Sequence, residues 1–151
     1  MNDAELKTRM IEEFNVHEGD MGIDRITTKA GNGLGMSSDG VYMKNQGDQI
    51  AGLTKRYTTG KTSIRISPKY AVNDILDFKA IAGHELIHAY HYNTFGTAYD
   101  ASFSESVAYR YSVSTYVRGN SWGSAFSMYR TAMRLNYWID VPKKYMIPKI
   151  F

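Results

Sequence analysis

The chain has no cysteine among its 151 residues. Disulfides and thiolate metal sites are therefore excluded, and any metal must be held by His, Asp or Glu. Proline is scarce as well: Pro68 follows an alternating segment, and Pro142 and Pro148 fall in the C-terminal tail, where they end regular structure. No apolar run approaches the roughly 18 residues needed to span a bilayer. Residues 1–15 are too polar for a signal peptide, so a protein that leaves the cell would do so without a cleavable leader, or as the tail of a longer chain. The net charge is only +3, and Lys55-Arg56 and Lys143-Lys144 are isolated doublets, which gives no basic stripe for nucleic acid. Glutamate is almost absent after the first 18 residues. Only Glu85 and Glu105 remain.

What is present fits one domain spanning residues 1–151, long enough for a core but short of two. The apolar share of 43% and charged share of 22% are those of an ordinary soluble globular fold. Twelve tyrosines, with two Trp and six Phe, point to aromatic packing or an aromatic-lined cleft.

The pattern along the chain predicts an α+β layout, a strand-bearing front half followed by a helical back half. Residues 3–14 form a short helix. Residues 17–60 are rich in Gly, Ser, Thr and Asn, with a brief strand near 40–44. Segment 62–67 (TSIRIS) alternates apolar and polar before Pro68, and so reads as an edge strand. A long helix over about 74–93 is capped by Asn73 or Asp74. Its core stripe is Ile75, Phe78, Ala82, Leu86 and Ala89, with Lys79 a blemish near it. Gly83 in this helix costs roughly 0.8–1 kcal/mol in propensity against Ala, a sign of close approach by another backbone. Phe95-Gly96-Thr97 breaks the helix. A second helix runs over about 102–118, and a third over 121–138 with Trp122, Phe126, Tyr129 and Met133 buried.

Chemistry enters at His84-Glu85-Leu86-Ile87-His88. Four His and six Glu placed at random would give His-Glu-x-x-His in on the order of one chain in a few hundred, so context must decide. Residues four apart on a helix share a face, about 5–6 Å apart, and two such imidazoles can share one Zn²⁺. His84 stands about 180° round the helix from Ile75, so the histidines face away from the core stripe, towards a cleft or solvent. Glu85 lies about 100° from the metal face, able to act as general base on a metal-activated water and then protonate the leaving amine. The third ligand is Glu105 or Asp100. Ser102-x-x-Glu105 also reads as a capping box, which would occupy that glutamate at a helix start. His91 shares the histidine face but lies about 10.5 Å along the axis from His84, too far for one ion to bind both. It is expected behind the ligands or at the surface; His17 has no assigned role. Tyr109 is the candidate donor to an oxyanion, and segment 62–67 could bind an extended peptide by strand addition.

Two other strings fail as motifs. Gly60-Lys61-Thr62 ends like a phosphate-binding loop, but Lys55 stands where that motif needs Gly, and Gly31-Asn32-Gly33-Leu34-Gly35 lacks the third glycine of a dinucleotide site.

HELIHAYH at 84–91, followed by Glu105-Ser-Val-Ala-Tyr109, resembles the zincin metallopeptidases with a glutamate third ligand. That resemblance implies a zincin-like fold, His84, His88 and Glu105 as ligands of Zn²⁺, and Glu85 as catalyst. The metzincin branch would need Gly at His91 and His at Thr94. The wider segment from Phe78 to His91 is similar to metallopeptidase domains at the C-termini of bacterial RHS/YD-repeat toxins, over about residues 62–118, though the chain has no YD repeats. This implies delivery into a target cell, a protein or peptide substrate and a cognate immunity protein. The competing expectations are a zinc amidase acting on a non-protein substrate and a non-catalytic zincin-like binding module. Glu85 argues against the latter, because a dead enzyme has no need of it.

Overall fold

A computed structural model describes residues 2–31, 33–72 and 74–148. The order is α1 (Asp3–Phe14), β1 (Ile23–Thr27), β2 (Leu34–Met36), β3 (Met43–Asn45), β4 (Asp48–Ile50), β5 (Gly52–Arg56), β6 (Thr62–Ile66), α2 (Pro68–Val72), α3 (Ile75–Phe95), α4 (Ala101–Arg118) and α5 (Trp122–Arg134). The fold is α+β, strands in front and helices behind. Strands β2, β3 and β4 make an antiparallel meander. The other sheet has the order β1-β6-β5, with β6 parallel to β1 and antiparallel to β5. Among the described residues no helix is long and apolar enough to cross a membrane.

The alternating segment 62–67 is thus a central strand, not an edge. Every residue of β6 is buried. Ile64 and Ile66 enter the core, while on the other face Arg65 donates to the Lys29 carbonyl at 2.7 Å and Ser63 meets the Tyr57 hydroxyl at 3.2 Å. Alternation marked two different faces, both covered. Pro68 opens α2 instead of closing an exposed strand, a first-turn position where its missing N–H costs nothing. The brief strand expected near 40–44 is β3, at Met43–Asn45.

Helix α3 organises the molecule. Asp74 caps it by accepting from Asp77 N, as its sequence predicts; Asn73 lies outside the described residues. Phe78, Ile81, Ala82, Leu86 and Ala89 pack against Ile23, Ile26, Ile64 and Ile66 of the sheet and Leu6 and Met10 of α1. Ile75, at the helix start, is 44% exposed and drops out of the expected stripe. Lys79 reaches out to Glu13 at 3.5 Å, which removes the blemish. The opposite side of α3 is not solvent. Ile87 packs with Val107 and Ala108 of α4, and Ala80 with Tyr116 and Ala125. A helix apolar nearly all round is buried all round.

Helix α4 comes close because Ser104, Ala108 and Ser112, four apart, are fully buried and small, and Ser112 Oγ donates to the Ala80 carbonyl at 2.8 Å. Gly83 receives the Tyr111 ring, so the close approach is by an aromatic side chain and not by backbone. Helix α5 overturns its expected face. Trp122, Phe126 and Met133 are 63%, 60% and 50% exposed, and the buried residues are Ala125 and Ala132. Small residues let α5 lie near its neighbours, and the large ones stay outside: Phe126 beneath Arg130, Tyr129 edge-on to Trp138. The helix also stops at Arg134 rather than 138, because Asn136 turns left-handed (φ 60°) and Tyr137 N donates back to the Ala132 carbonyl at 2.8 Å.

Candidate metal centre

His84 and His88 stand one turn apart on α3, with Nε2 atoms 3.2 Å from each other. Glu105, in the second turn of α4, brings Oε1 to 3.5 Å from His84 Nε2 and into contact with His88 Nε2. One ligand atom from each of the three lies within 4.8 Å of the others. Ligands bound at about 2.0–2.1 Å on a tetrahedral ion stand about 3.3 Å apart, so two of the three edges already have the needed length. Two imidazoles and a carboxylate are also a donor set that zinc accepts. The residues fit the ion.

Asp100 is not part of this group. Its side chain accepts from Phe103 N at 3.0 Å and caps α4. That cap displaces the Ser102–Glu105 capping box by starting the helix earlier, at Ala101, and so leaves the Glu105 carboxylate to face α3.

Charge and burial act against each other here. Burial drives the Glu105 carboxyl upward, but the two histidines beside it outweigh this and hold it far below the usual carboxylate range. Burial likewise pulls His84 down, yet Glu105 and Glu85 leave it raised. Tyr109 meets the His84 ring edge-on, with centroids 5.0 Å apart. Burial first, and then the Glu105 charge, push the Tyr109 hydroxyl up to about 12, so it keeps its proton at neutral pH.

Glu85 is 6% exposed and comes from the sheet-facing side of the same turn. The Thr54 hydroxyl on β5 lies 2.9 Å from both its main-chain oxygen and Oε1. A further tie, Arg56 Nη1 to the Tyr92 carbonyl at 3.0 Å, holds β5 along α3. The whole group opens onto a cleft of about 1120 Å³, lined among others by Gly52, Thr54, Tyr92, Tyr99, Tyr109 and Tyr137. The aromatic-lined cleft that the tyrosine content predicts is there. Since β6 has partners on both sides, it cannot accept a peptide strand; β5 is the sheet edge beside the cleft.

His91 is fully buried, neither ligand nor surface residue. Its Nδ1 is 2.8 Å from Ser104 Oγ and its Nε2 2.6 Å from the Tyr145 carbonyl. Ser104 Oγ is also 2.8 Å from His88 Nδ1, and the Tyr99 hydroxyl is 3.2 Å from that same nitrogen. His17 is exposed and, among the described residues, belongs to no metal-ligating group. Sequence reasoning missed Thr54, Tyr99, Ser104 and Tyr145, none of which lies in a recognisable motif. Only the spacing of Ser104, Ala108 and Ser112 could have marked the α4 face that meets α3.

No protein-family model, curated protein or solved structure matches this chain.

Proposed function

We propose that this protein is a zinc-dependent metallopeptidase of zincin-like design. The observation that carries the reading is the convergence of His84, His88 and Glu105 from two helices, with Glu85 beside them and a cleft in front. His84, His88 and Glu105 would hold the ion, and once bound it would acidify a water molecule and polarise a carbonyl.

The chain's own residues account for the rest. Glu85, held by Thr54, takes a proton at its carboxylate and returns it to the departing amine nitrogen. Tyr109, protonated and edge-on to His84, is the donor to the developing oxyanion. The free edge of β5 offers main-chain groups to an extended peptide, which favours a protein substrate over a non-protein amide. The likeness of 78–91 to the tips of RHS/YD-repeat toxins supports an effector that is delivered into a target cell and held in check by an immunity protein.

Metal analysis of the purified protein beside variants provides the test. The wild type is expected to hold one zinc, and His84→Ala, His88→Ala and Glu105→Ala to lose it. Glu85→Gln should keep the zinc and lose about 10²–10⁴-fold in cleavage of a peptide library. Full activity in Glu85→Gln would refute the general base. A wild type that binds zinc but cleaves neither peptides nor other amides would make this a binding module.

A further inference from the structure

Behind His88 runs a line of four polar groups that reaches no solvent: His88 Nδ1, Ser104 Oγ, the His91 ring and the Tyr145 main-chain carbonyl. Ser104 and His91 are fully buried and do not line the cleft. The direction of every bond in this line follows from its fixed end. A carbonyl only accepts, so His91 Nε2 must carry a hydrogen and donate to Tyr145. His91 is neutral, because burial, only partly offset by that carbonyl, pulls it down to about 4. With its one hydrogen on Nε2, Nδ1 has a lone pair and accepts from the Ser104 hydroxyl. A hydroxyl has a single hydrogen, which is now spent, so towards His88 the serine oxygen can only accept. On this side His88 Nδ1 is therefore the donor, and Nε2, which faces His84 and Glu105, is the atom left for a metal ion to take.

We propose that His91 and Ser104 are positioning residues that fix the tautomer of His88, with the Tyr145 carbonyl as the fixed end of a one-way proton line. It rests on the metal-centre reading above for its purpose, though not for its geometry. The Tyr99 hydroxyl shows what the line guards against. At 3.2 Å it could donate to a bare His88 Nδ1, which would move the ring hydrogen to Nε2 and block the ligand atom. Orienting partners of this kind set both the ring angle and the basicity of a metal-binding imidazole.

The test uses the full chain, metal-free and labelled with ¹⁵N-histidine, at neutral pH. Long-range ¹H–¹⁵N spectra then report which nitrogen bears the hydrogen. The wild type is expected to show His88 protonated on Nδ1. In His91→Phe the serine hydrogen loses its acceptor and turns to His88, so the tautomer should shift towards Nε2–H. Ser104→Ala should also release it. Both variants should bind zinc about 10–100-fold more weakly in a chelator competition. His91→Phe is the decisive variant, since the hydrogen-bonded link from residue 91 to His88 runs through Ser104 and a merely space-filling ring would leave the tautomer alone. A wild-type ring protonated on Nε2, or His91→Phe with unchanged tautomer and zinc affinity, would overturn the proposal. If the variants fail to fold, the wild-type spectrum alone still decides. A wild type with the hydrogen on Nδ1 that takes up no zinc would uphold the proton line and sink the metal reading.

Discussion

Gly52 leaves Glu85 the room it occupies, since a Cβ there would stand 2.9 Å from the Arg65 carbonyl oxygen and 3.0 Å from Glu85 Cγ. Backbone on one side cannot yield, so the glutamate would have to. Gly52→Ala is expected to keep zinc and lose activity, on the order of 10²-fold for a displacement near 1 Å, read as kcat against metal content. His91 makes a second prediction at this scale. Its folded pKa of about 4 lies below the ordinary histidine value of 6.5, so the unfolded chain binds the extra proton first. The stability that comes from keeping this ring neutral is full above about 6.5 and is lost as pH falls through 4. Denaturation midpoints of the metal-free protein should therefore fall across that interval, and those of His91→Phe should fall less steeply.

Among the elements, α4 owes its start to one side chain. Asp100→Ala removes the cap and should cost about 1 kcal/mol, seen as a lower denaturation midpoint, while zinc content stays at the wild-type level. Loss of zinc in that variant would restore Asp100 as a ligand. The helices α1, α3 and α4 were legible in the sequence because caps, breakers and 3.6-residue spacing are local signals. The face of α5 was not. Its large apolar residues keep helical spacing, but the helix is drawn in by Ala125 and Ala132, and which face is used depends on what lies opposite. The same holds for β6, whose Arg65 and Ser63 look solvent-facing until the Lys29 carbonyl and Tyr57 are placed over them. Of the site, the motif was readable at fixed spacing and Glu105 as one of two candidate ligands, whereas Thr54 lies 31 residues before its partner and Tyr145 lies 54 after His91. No pattern in the chain encodes such distances.

At the level of the whole molecule, an ion held by α3 and α4 would tie together two helices packed through small residues. Zinc at 100-fold its dissociation constant should add about 2.7 kcal/mol. For a chain of this length that corresponds to a rise in Tm of roughly 5–11 °C. The rise should be reversed by chelator and absent in His84→Ala. The three ligands lie within 22 residues of one another, on a helical hairpin of near-neighbour contacts, whereas the support for Glu85 comes from a sheet whose parallel pair joins residue 23 to residue 62. Near-neighbour contacts close early in folding and distant ones late. The cluster that would hold the ion therefore rests on contacts the chain can form locally, whereas the surroundings of Glu85 require the sheet to be assembled as well.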